Sequence, residues 1–317
     1  MAADRDDARC FVGAARTLRR PAGPRVGVPW RRVYRNPYDT LEGEETSMKT
    51  GMPQVDEIVT QMFEAARQRF GAEAVARIAA STLPTFETPN YTDERQRSTW
   101  LHTPGLTARP FWTREQCGRL TEMIVAFEEA KEKLFEEIAQ LDPSRMGVPY
   151  DHLSVDPELI RGWKNLFFFK DYEGDQELLE KVPTLAKIAG RFGPEQLDRF
   201  ELFLSVLQPG THIPAHFGGA NVKLTLHLPL SIPEGDTAIR VGNETRTWKD
   251  GEMLIFDDTF DHEAWNRTGT ARAVLLLKAY HPELSVEEVG VLEMFGPLNA
   301  KVYRELLKSK GRGASNA

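Results

Sequence analysis

The fold is decided by residues 221–280, which read NVKLTLHLPLSIPEGDTAIRVGNETRTWKDGEMLIFDDTFDHEAWNRTGTARAVLLLKAY. Short apolar runs alternate here with turn signals, the clearest being Pro233-Glu-Gly, Val241-Gly-Asn and Lys249-Asp-Gly. The runs predict five strands, at Lys223–Leu230, Ala238–Val241, Glu244–Trp248, Glu252–Phe256 and Arg272–Tyr280. Short strands at this spacing are typical of an antiparallel sandwich or barrel. We therefore predict a mainly β fold with flanking helices and a jelly-roll core.

Helical patterns flank this stretch. Apolar residues between Gln54 and Ala80 recur at three- and four-residue steps, which predicts a helix that is open to interruption near Gly71. The proline- and threonine-rich residues 82–113 predict an extended connector, and a long helix follows from Arg114 to Leu141 with Thr113 as its N-cap. The other predicted elements are strands at 163–170 and 199–207 and helices at 178–192 and 285–310.

The first 47 residues differ in composition from the rest of the chain. Between Ala8 and Asn36 there are eight arginines and no acidic residue, and three prolines break any helix there. We predict a disordered basic N-terminal extension over residues 1–47. The alternative is a basic arm or an organelle transit peptide.

Composition limits the classes of function. The chain has 317 residues, 41% hydrophobic and 27% charged, and a formal net charge of −7, which argues against nucleic acid as its main partner. Its cysteines, Cys10 and Cys117, are too few for a disulfide framework or a thiolate cluster and suit a reducing compartment. No apolar run approaches the roughly 20 residues of a membrane helix. We expect a cytoplasmic protein with no nucleic-acid partner and no membrane span.

Histidines are concentrated in the β-rich stretch. His216 follows Pro214, and His262 lies 46 residues later in a run of acidic and aromatic residues. Neutral imidazole suits iron(II), and two histidines on neighbouring strands of a jelly roll can face one metal. Two residues after the first histidine, where a two-histidine, one-carboxylate site would carry its acid, the chain has Gly218. The residues alone leave open a direct ligand among Asp257, Asp258 and Asp261, and also a purely structural role for both histidines.

Several motifs occur together in a characteristic order. They are PGLTARPFWT at 104–113, PGTHIPAHFGGAN at 209–221, LHLPL at 226–230, WKDGEMLIFDDTFDHE at 248–263 and HPEL at 281–284. Over about residues 100–285 the chain resembles the catalytic domain of the aspartyl/asparaginyl β-hydroxylase family. The resemblance implies a double-stranded β-helix, cupin-like core. It also implies a division into a helical N-terminal segment at 48–99 and an oxygenase domain with C-terminal helices at 100–317.

The resemblance further implies an iron(II) site that uses O2 as the oxidant. By position, His216 and His262 are the implied metal ligands, and Gly218 agrees with the family, in which glycine takes the place of the carboxylate. A nearby acid such as Asp258 would steady a water on the metal without binding it directly.

The implied cosubstrate is 2-oxoglutarate. Arg272 would bind its C5 carboxylate with the help of Ser205, and His227 would lie near the C1 carboxylate. The apolar run around Arg272 supports this, because a buried guanidinium is costly without an anionic partner. The alternatives are that Arg272 pairs with a structural carboxylate or ends its strand at the surface.

The substrate positions depart from the family. Members that act on aspartyl residues have a basic Arg-x-Arg pair where this chain has Lys223 and Thr225, so Thr225 is expected to remove one positive charge from the substrate site. The implied activity is hydroxylation of an unactivated carbon, the β-carbon of an amino acid or peptidyl residue, or a carbon of another small molecule. Gly218 leaves halogenation open. The rival interpretation is a non-catalytic cupin-like binding or regulatory protein, and a zinc hydrolase lacks a convincing third ligand.

Overall fold

The computed structural model describes residues 52–81, 89–147 and 160–296. The predicted extension at 1–47, part of the predicted connector at 82–88 and the predicted C-terminal helix beyond residue 296 lie outside these ranges. Within them, no helix has the length and apolar character needed to cross a bilayer.

The described strands form two antiparallel sheets. They are β1 (Phe111–Trp112), β2 (Trp163–Lys170), β3 (Glu173–Gly174), β4 (Asp198–Leu207), β5 (Thr211–His216), β6 (Lys223–Ser231), β7 (Thr237–Val241), β8 (Glu244–Arg246), β9 (Leu254–Phe256), β10 (His262–Asn266) and β11 (Arg272–Tyr280). The larger sheet has the order β1-β9-β6-β11-β4-β2-β3, and the smaller one has the order β5-β10-β7-β8. From β4 to β11 the chain passes back and forth between the two sheets, with only β7 and β8 consecutive in one sheet, which confirms the predicted double-stranded β-helix, a jelly roll with flanking helices.

The larger sheet is covered on both faces. One face packs against the smaller sheet through a cluster that includes Phe203, Leu276 and Ile239. The other face packs against helices through a second cluster. This cluster contains Leu204 and Leu275, which are the chain neighbours of Phe203 and Leu276. Successive residues of a strand point to opposite faces, so covering both faces leaves β4, β6 and β11 buried along almost their whole length. Any polar residue on these strands that faces the smaller sheet is therefore enclosed between the two sheets.

The helices are α1 (Met52–Phe70), α2 (Ala72–Ala79), α3 (Thr121–Glu129), α4 (Lys131–Ile138), α5 (Gln176–Lys181), α6 (Pro183–Arg191) and α7, described over 286–296. The predicted interruption at Gly71 is confirmed, since this residue has φ 90° and separates α1 from α2. The prediction of one helix from Arg114 to Leu141 is wrong. A 3-10 helix at Arg114–Leu120 contains Gly118 with φ 50°, and a second break separates α3 from α4. The predicted helix at 178–192 is likewise split, because Pro183 begins a new helix.

Strands β5 and β10 were not among the predicted strands. β5 carries Pro214 and two exposed residues, and β10 reads HEAWN, so neither has the apolar run of a central strand. β5 lies at the edge of the smaller sheet, where a proline costs no ladder hydrogen bond. Two strands are shorter than predicted. The strand predicted at Glu244–Trp248 ends at Arg246, and the strand predicted at Glu252–Phe256 begins at Leu254.

Candidate active site

Two histidines meet where β5 ends and β10 begins. His216 and His262 are paired across the antiparallel strands, and their ring centroids lie 4.1 Å apart. A register shift follows His262 in this pairing. The fold therefore brings together two side chains that are 46 residues apart in the sequence.

Both rings are held in the same tautomer by backbone carbonyls. The Nδ1 atom of His216 lies 2.8 Å from the carbonyl oxygen of Pro214, and that of His262 lies 2.9 Å from the carbonyl oxygen of Phe260. A carbonyl only accepts, so each Nδ1 carries the proton and each neutral ring keeps its Nε2 lone pair. Burial lowers the pKa of His216 and lowers that of His262 to about 3. Neutral imidazoles fixed in this way have the form in which histidine binds a metal through Nε2.

Gly218 lies against the carboxylate of Asp258. A Cβ atom at position 218 would overlap Oδ1 and Cγ of Asp258, so only glycine fits there without movement. The carboxylate is held by the Thr225 hydroxyl, which donates to Oδ2 over 3.1 Å, and by the ammonium of Lys278. Within the described ranges, no three His, Cys, Asp or Glu side chains form a metal-binding group. Asp258 is therefore a fixed neighbour of the histidine pair.

Enlarging Gly218 is expected to displace Asp258. Gly218→Ala should lower the free energy of unfolding by about 1–3 kcal/mol, the usual effect of overpacking a filled site. Gly219→Ala is the matched control, because a Cβ there would have Trp100 as its nearest neighbour, 4.0 Å away. Chemical denaturation of both variants checks this, and equal stability of the two would show that Asp258 is not fixed against Gly218.

Arg272 is a buried cation without an acidic partner. Its side chain is 1% exposed, and no described carboxylate lies within ion-pairing distance of it. Nη1 donates to the carbonyl oxygen of Ser205 over 3.3 Å, the guanidinium lies 4.7 Å from the ring centroid of Trp248, and Nε has no partner among the described residues. Burial lowers the pKa of Arg272 to about 9, so it is still charged at neutral pH. Neither alternative, a structural carboxylate or a surface strand end, is found in the described chain.

Two further donors are left unused beside Arg272. The Ser205 hydroxyl accepts from Trp163 Nε1 over 2.9 Å, which leaves its own hydrogen available. His227 accepts at Nδ1 from Trp248 Nε1 over 3.3 Å, and burial holds its pKa well below the ordinary value. The neutral ring must therefore carry its proton on Nε2, which is buried and has no partner within the described chain. An unpaired buried donor costs about 1–3 kcal/mol, so the arrangement favours an anion as occupant.

All eight residues predicted for the site line one cavity of about 260 Å³ between the two sheets. They are His216, His262, Arg272, Ser205, His227, Asp258, Lys223 and Thr225. The cavity thus joins a pair of neutral histidines to a buried cation and two free donors. This set of groups can hold a metal ion and a carboxylate side by side.

A charged residue that was not predicted lies beside Thr225. Thr225 faces Lys278 across β6 and β11, and the Lys278 ammonium donates to its hydroxyl over 2.8 Å. A lysine of the neighbouring strand therefore lies beside Thr225, and its charge is paired with Asp258. Lys223 also keeps its charge, in an ion pair of 2.6 Å with Asp198. Lys278 could have been found from the sequence, because it interrupts the same apolar run as Arg272 and lies on the same face of β11.

Comparison with known proteins identifies relatives of this domain. The aspartyl/asparaginyl beta-hydroxylase family profile matches residues 125–282. The human protein named aspartyl/asparaginyl beta-hydroxylase is 31% identical over 191 residues, which are 58% of this chain and 24% of that protein. The ornithine lipid ester-linked acyl 2-hydroxylase of Rhizobium tropici is 48% identical over 80 residues, 25% of this chain and 28% of that protein. The chain thus spans about a quarter of the length of these curated relatives.

A solved structure adds no argument of its own. The cupin domain of Cnp3 from Schizosaccharomyces pombe is 14% identical with a TM-score of 0.22, over 25% of this chain and 55% of that chain. The fold assignment depends instead on the strand order described above. All eight site residues lie within the segment that matches the family profile. Over residues 125–282 the chain belongs to the aspartyl/asparaginyl β-hydroxylase family.

Proposed function

We propose that this protein is an iron(II)- and 2-oxoglutarate-dependent dioxygenase that hydroxylates an unactivated carbon of its substrate. The observation that carries the proposal is Arg272, a fully buried guanidinium without a described carboxylate partner, in the same cavity as two neutral histidines. A buried charge of this kind is stable only if an anion joins it. 2-Oxoglutarate has a carboxylate at each end and a keto group that can bind a metal, so it matches both parts of the cavity.

His216 and His262 would hold the iron through their Nε2 atoms. The donor set fits, since imidazole suits iron(II), and both rings are neutral and fixed by their Nδ1 hydrogen bonds. When bound, the iron supplies the activation of O2 that accompanies oxidative decarboxylation of 2-oxoglutarate. With two protein ligands, the remaining coordination positions are left to cosubstrate and water, and Asp258 would hold such a water by hydrogen bonding.

Arg272, Ser205 and His227 would bind the cosubstrate. Arg272 offers a charged fork to the C5 carboxylate, and the Ser205 hydroxyl donates beside it. The Nε2–H of His227 would donate to the C1 carboxylate. Trp248 orients this set, because its ring stacks against the Arg272 guanidinium and its Nε1–H fixes the tautomer of His227. Trp163 orients Ser205, because its Nε1–H donates to the Ser205 hydroxyl oxygen.

Two kinds of substrate agree with the relatives. The human relative's name points to the β-carbon of aspartyl or asparaginyl residues, and the Rhizobium tropici relative's name points to C2 of a lipid acyl chain. The aromatic residues Trp100, Phe200 and Phe217 in the cavity wall favour a substrate with an apolar part. We propose an amino acid, a peptide or another small molecule as the substrate class, with the acyl carbon as the second candidate.

Release of succinate tests the proposed function. The full chain with iron(II), O2 and 2-oxoglutarate is expected to form succinate slowly alone and faster when a true substrate is added. Zinc(II) in place of iron(II) is the control and should give none, because zinc has no redox chemistry. A non-catalytic cupin-like protein would form no succinate with iron and any of the candidate amino acids, peptides or acyl lipids.

A further inference from the structure

Glu201 is a second unpartnered charge in the same cavity. It lies on β4, is 9% exposed and lines the cavity wall. Its carboxylate makes no hydrogen bond or ion pair with any residue of the described chain, and burial raises its pKa. A carboxylate is rarely buried without a partner. Its position therefore requires an explanation.

The neighbouring cations are already engaged. Lys278 and Lys223 both favour the charged form of Glu201 from a distance. However, Lys278 is bound to Asp258 and Thr225, and Lys223 forms its ion pair with Asp198. Each lysine therefore has an acidic partner of its own. This leaves the charge of Glu201 without a direct counter-ion.

Glu201 is well separated from the proposed cosubstrate contacts. It precedes Ser205 by four residues on the same strand, which corresponds to about 13 Å at the usual rise of about 3.3 Å per residue. Much of the cavity wall is apolar, with Phe200, Phe203 and Val222 among its residues. A molecule that fits here needs an apolar body and a positive charge.

We propose that Glu201 recognises the substrate by binding an ammonium group, and that the substrates of this enzyme are therefore apolar primary amines. This inference rests on the proposed function in one respect, that the cavity is the substrate site. It also explains why this chain has Thr225 where family members that act on aspartyl residues have the second arginine of their basic pair. The two lysines are neutralised by their own acids, so the remaining charge of the wall is negative and selects against an anionic side chain.

Binding of three matched probes tests this proposal. Hexylammonium, hexanol and hexanoate share one chain length and differ in charge. Calorimetry is carried out without O2 on the full chain loaded with iron(II) and 2-oxoglutarate, and again without either. In the loaded protein, where 2-oxoglutarate occupies Arg272, hexylammonium should bind at least about tenfold more tightly than hexanol, as expected for a desolvated charge pair, and hexanoate should bind most weakly. In the unloaded protein Arg272 is open to carboxylates, so only the preference for hexylammonium over hexanol is compared there.

Glu201→Gln keeps the shape of the side chain and should remove the preference for hexylammonium. Asp171→Asn, at another carboxylate of the cavity wall, is the matched control and should keep it. Glu201→Lys should reverse the order in favour of hexanoate, which gives a positive result even if Glu201→Gln binds all probes poorly. Equal binding of the three probes to the wild type, or an unchanged preference in Glu201→Gln, would overturn the proposal. Failure of the oxygenase assignment would show separately, as an absence of 2-oxoglutarate binding.

Discussion

Arg272→Met is expected to weaken 2-oxoglutarate binding strongly and, at the same time, to raise the melting temperature of the ligand-free protein. Removing one partner of a buried charge pair costs about 2–5 kcal/mol of binding, or roughly 30-fold or more in Kd. Without ligand, however, the same guanidinium is buried with no described carboxylate beside it. Replacing an uncompensated buried charge with an apolar side chain of similar length is stabilising.

Titration calorimetry with 2-oxoglutarate measures the change in affinity. Thermal unfolding with and without 2-oxoglutarate measures the change in stability. The wild type should gain stability from the cosubstrate by mass action, and the Arg272→Met variant should not. Arg272→Lys should lie between them, because it keeps the charge but loses the two-pronged geometry. Arg267→Met is the surface control, since Arg267 pairs with Asp236 in an exposed ion pair. A loss of stability in ligand-free Arg272→Met would mean that Arg272 has a stabilising partner in the apo protein.

His262→Ala is expected to remove iron(II) from the protein. Loss of a direct ligand should exceed the roughly 10- to 100-fold drop in affinity that usually follows loss of a ligand's hydrogen-bond partner. His216→Ala should behave in the same way, since the two rings lie with their centroids 4.1 Å apart and each keeps a free Nε2. Iron content after anaerobic dialysis measures this directly.

His212→Ala is the matched control for the histidine variants. His212 lies on β5 four residues before His216, but its side chain is exposed and its Nε2 lies 2.7 Å from Oε2 of Glu263. It should keep one iron per chain. If His262→Ala keeps its iron, or if His212→Ala loses it, the metal does not bind where we propose.

The sequence predicted the central strands but not the two that carry the histidines. β2 and β11 have the predicted bounds, because both contain an apolar run of the kind that marks a strand buried on both faces. β5 and β10 carry the proposed metal ligands, and their residues lack the apolar run that marks a central strand. Local pattern and fold disagree most often at functional sites, and here they disagree at the proposed metal ligands.

Some residues of the candidate site were likewise predicted and others were not. His216, His262 and Arg272 were predicted from the family resemblance, with support from the histidine cluster and from the apolar run around Arg272. Lys278 and Glu201 are equally unusual within their apolar strands, yet their roles depend on cross-strand register. The pairing of Thr225 with Lys278 and the bulge between Leu277 and Lys278 are set by tertiary packing, which no local pattern of residues reports.

A crystal structure of the full chain with iron(II) and 2-oxoglutarate, obtained without O2, tests the central claim most directly. We predict one metal ion bonded to Nε2 of His216 and Nε2 of His262 at about 2.0–2.2 Å, the usual length for imidazole ligands. The distal carboxylate of 2-oxoglutarate should lie within about 3 Å of the Arg272 guanidinium. A metal bound away from the two histidines, or a cosubstrate that leaves Arg272 without an anion, would contradict the account.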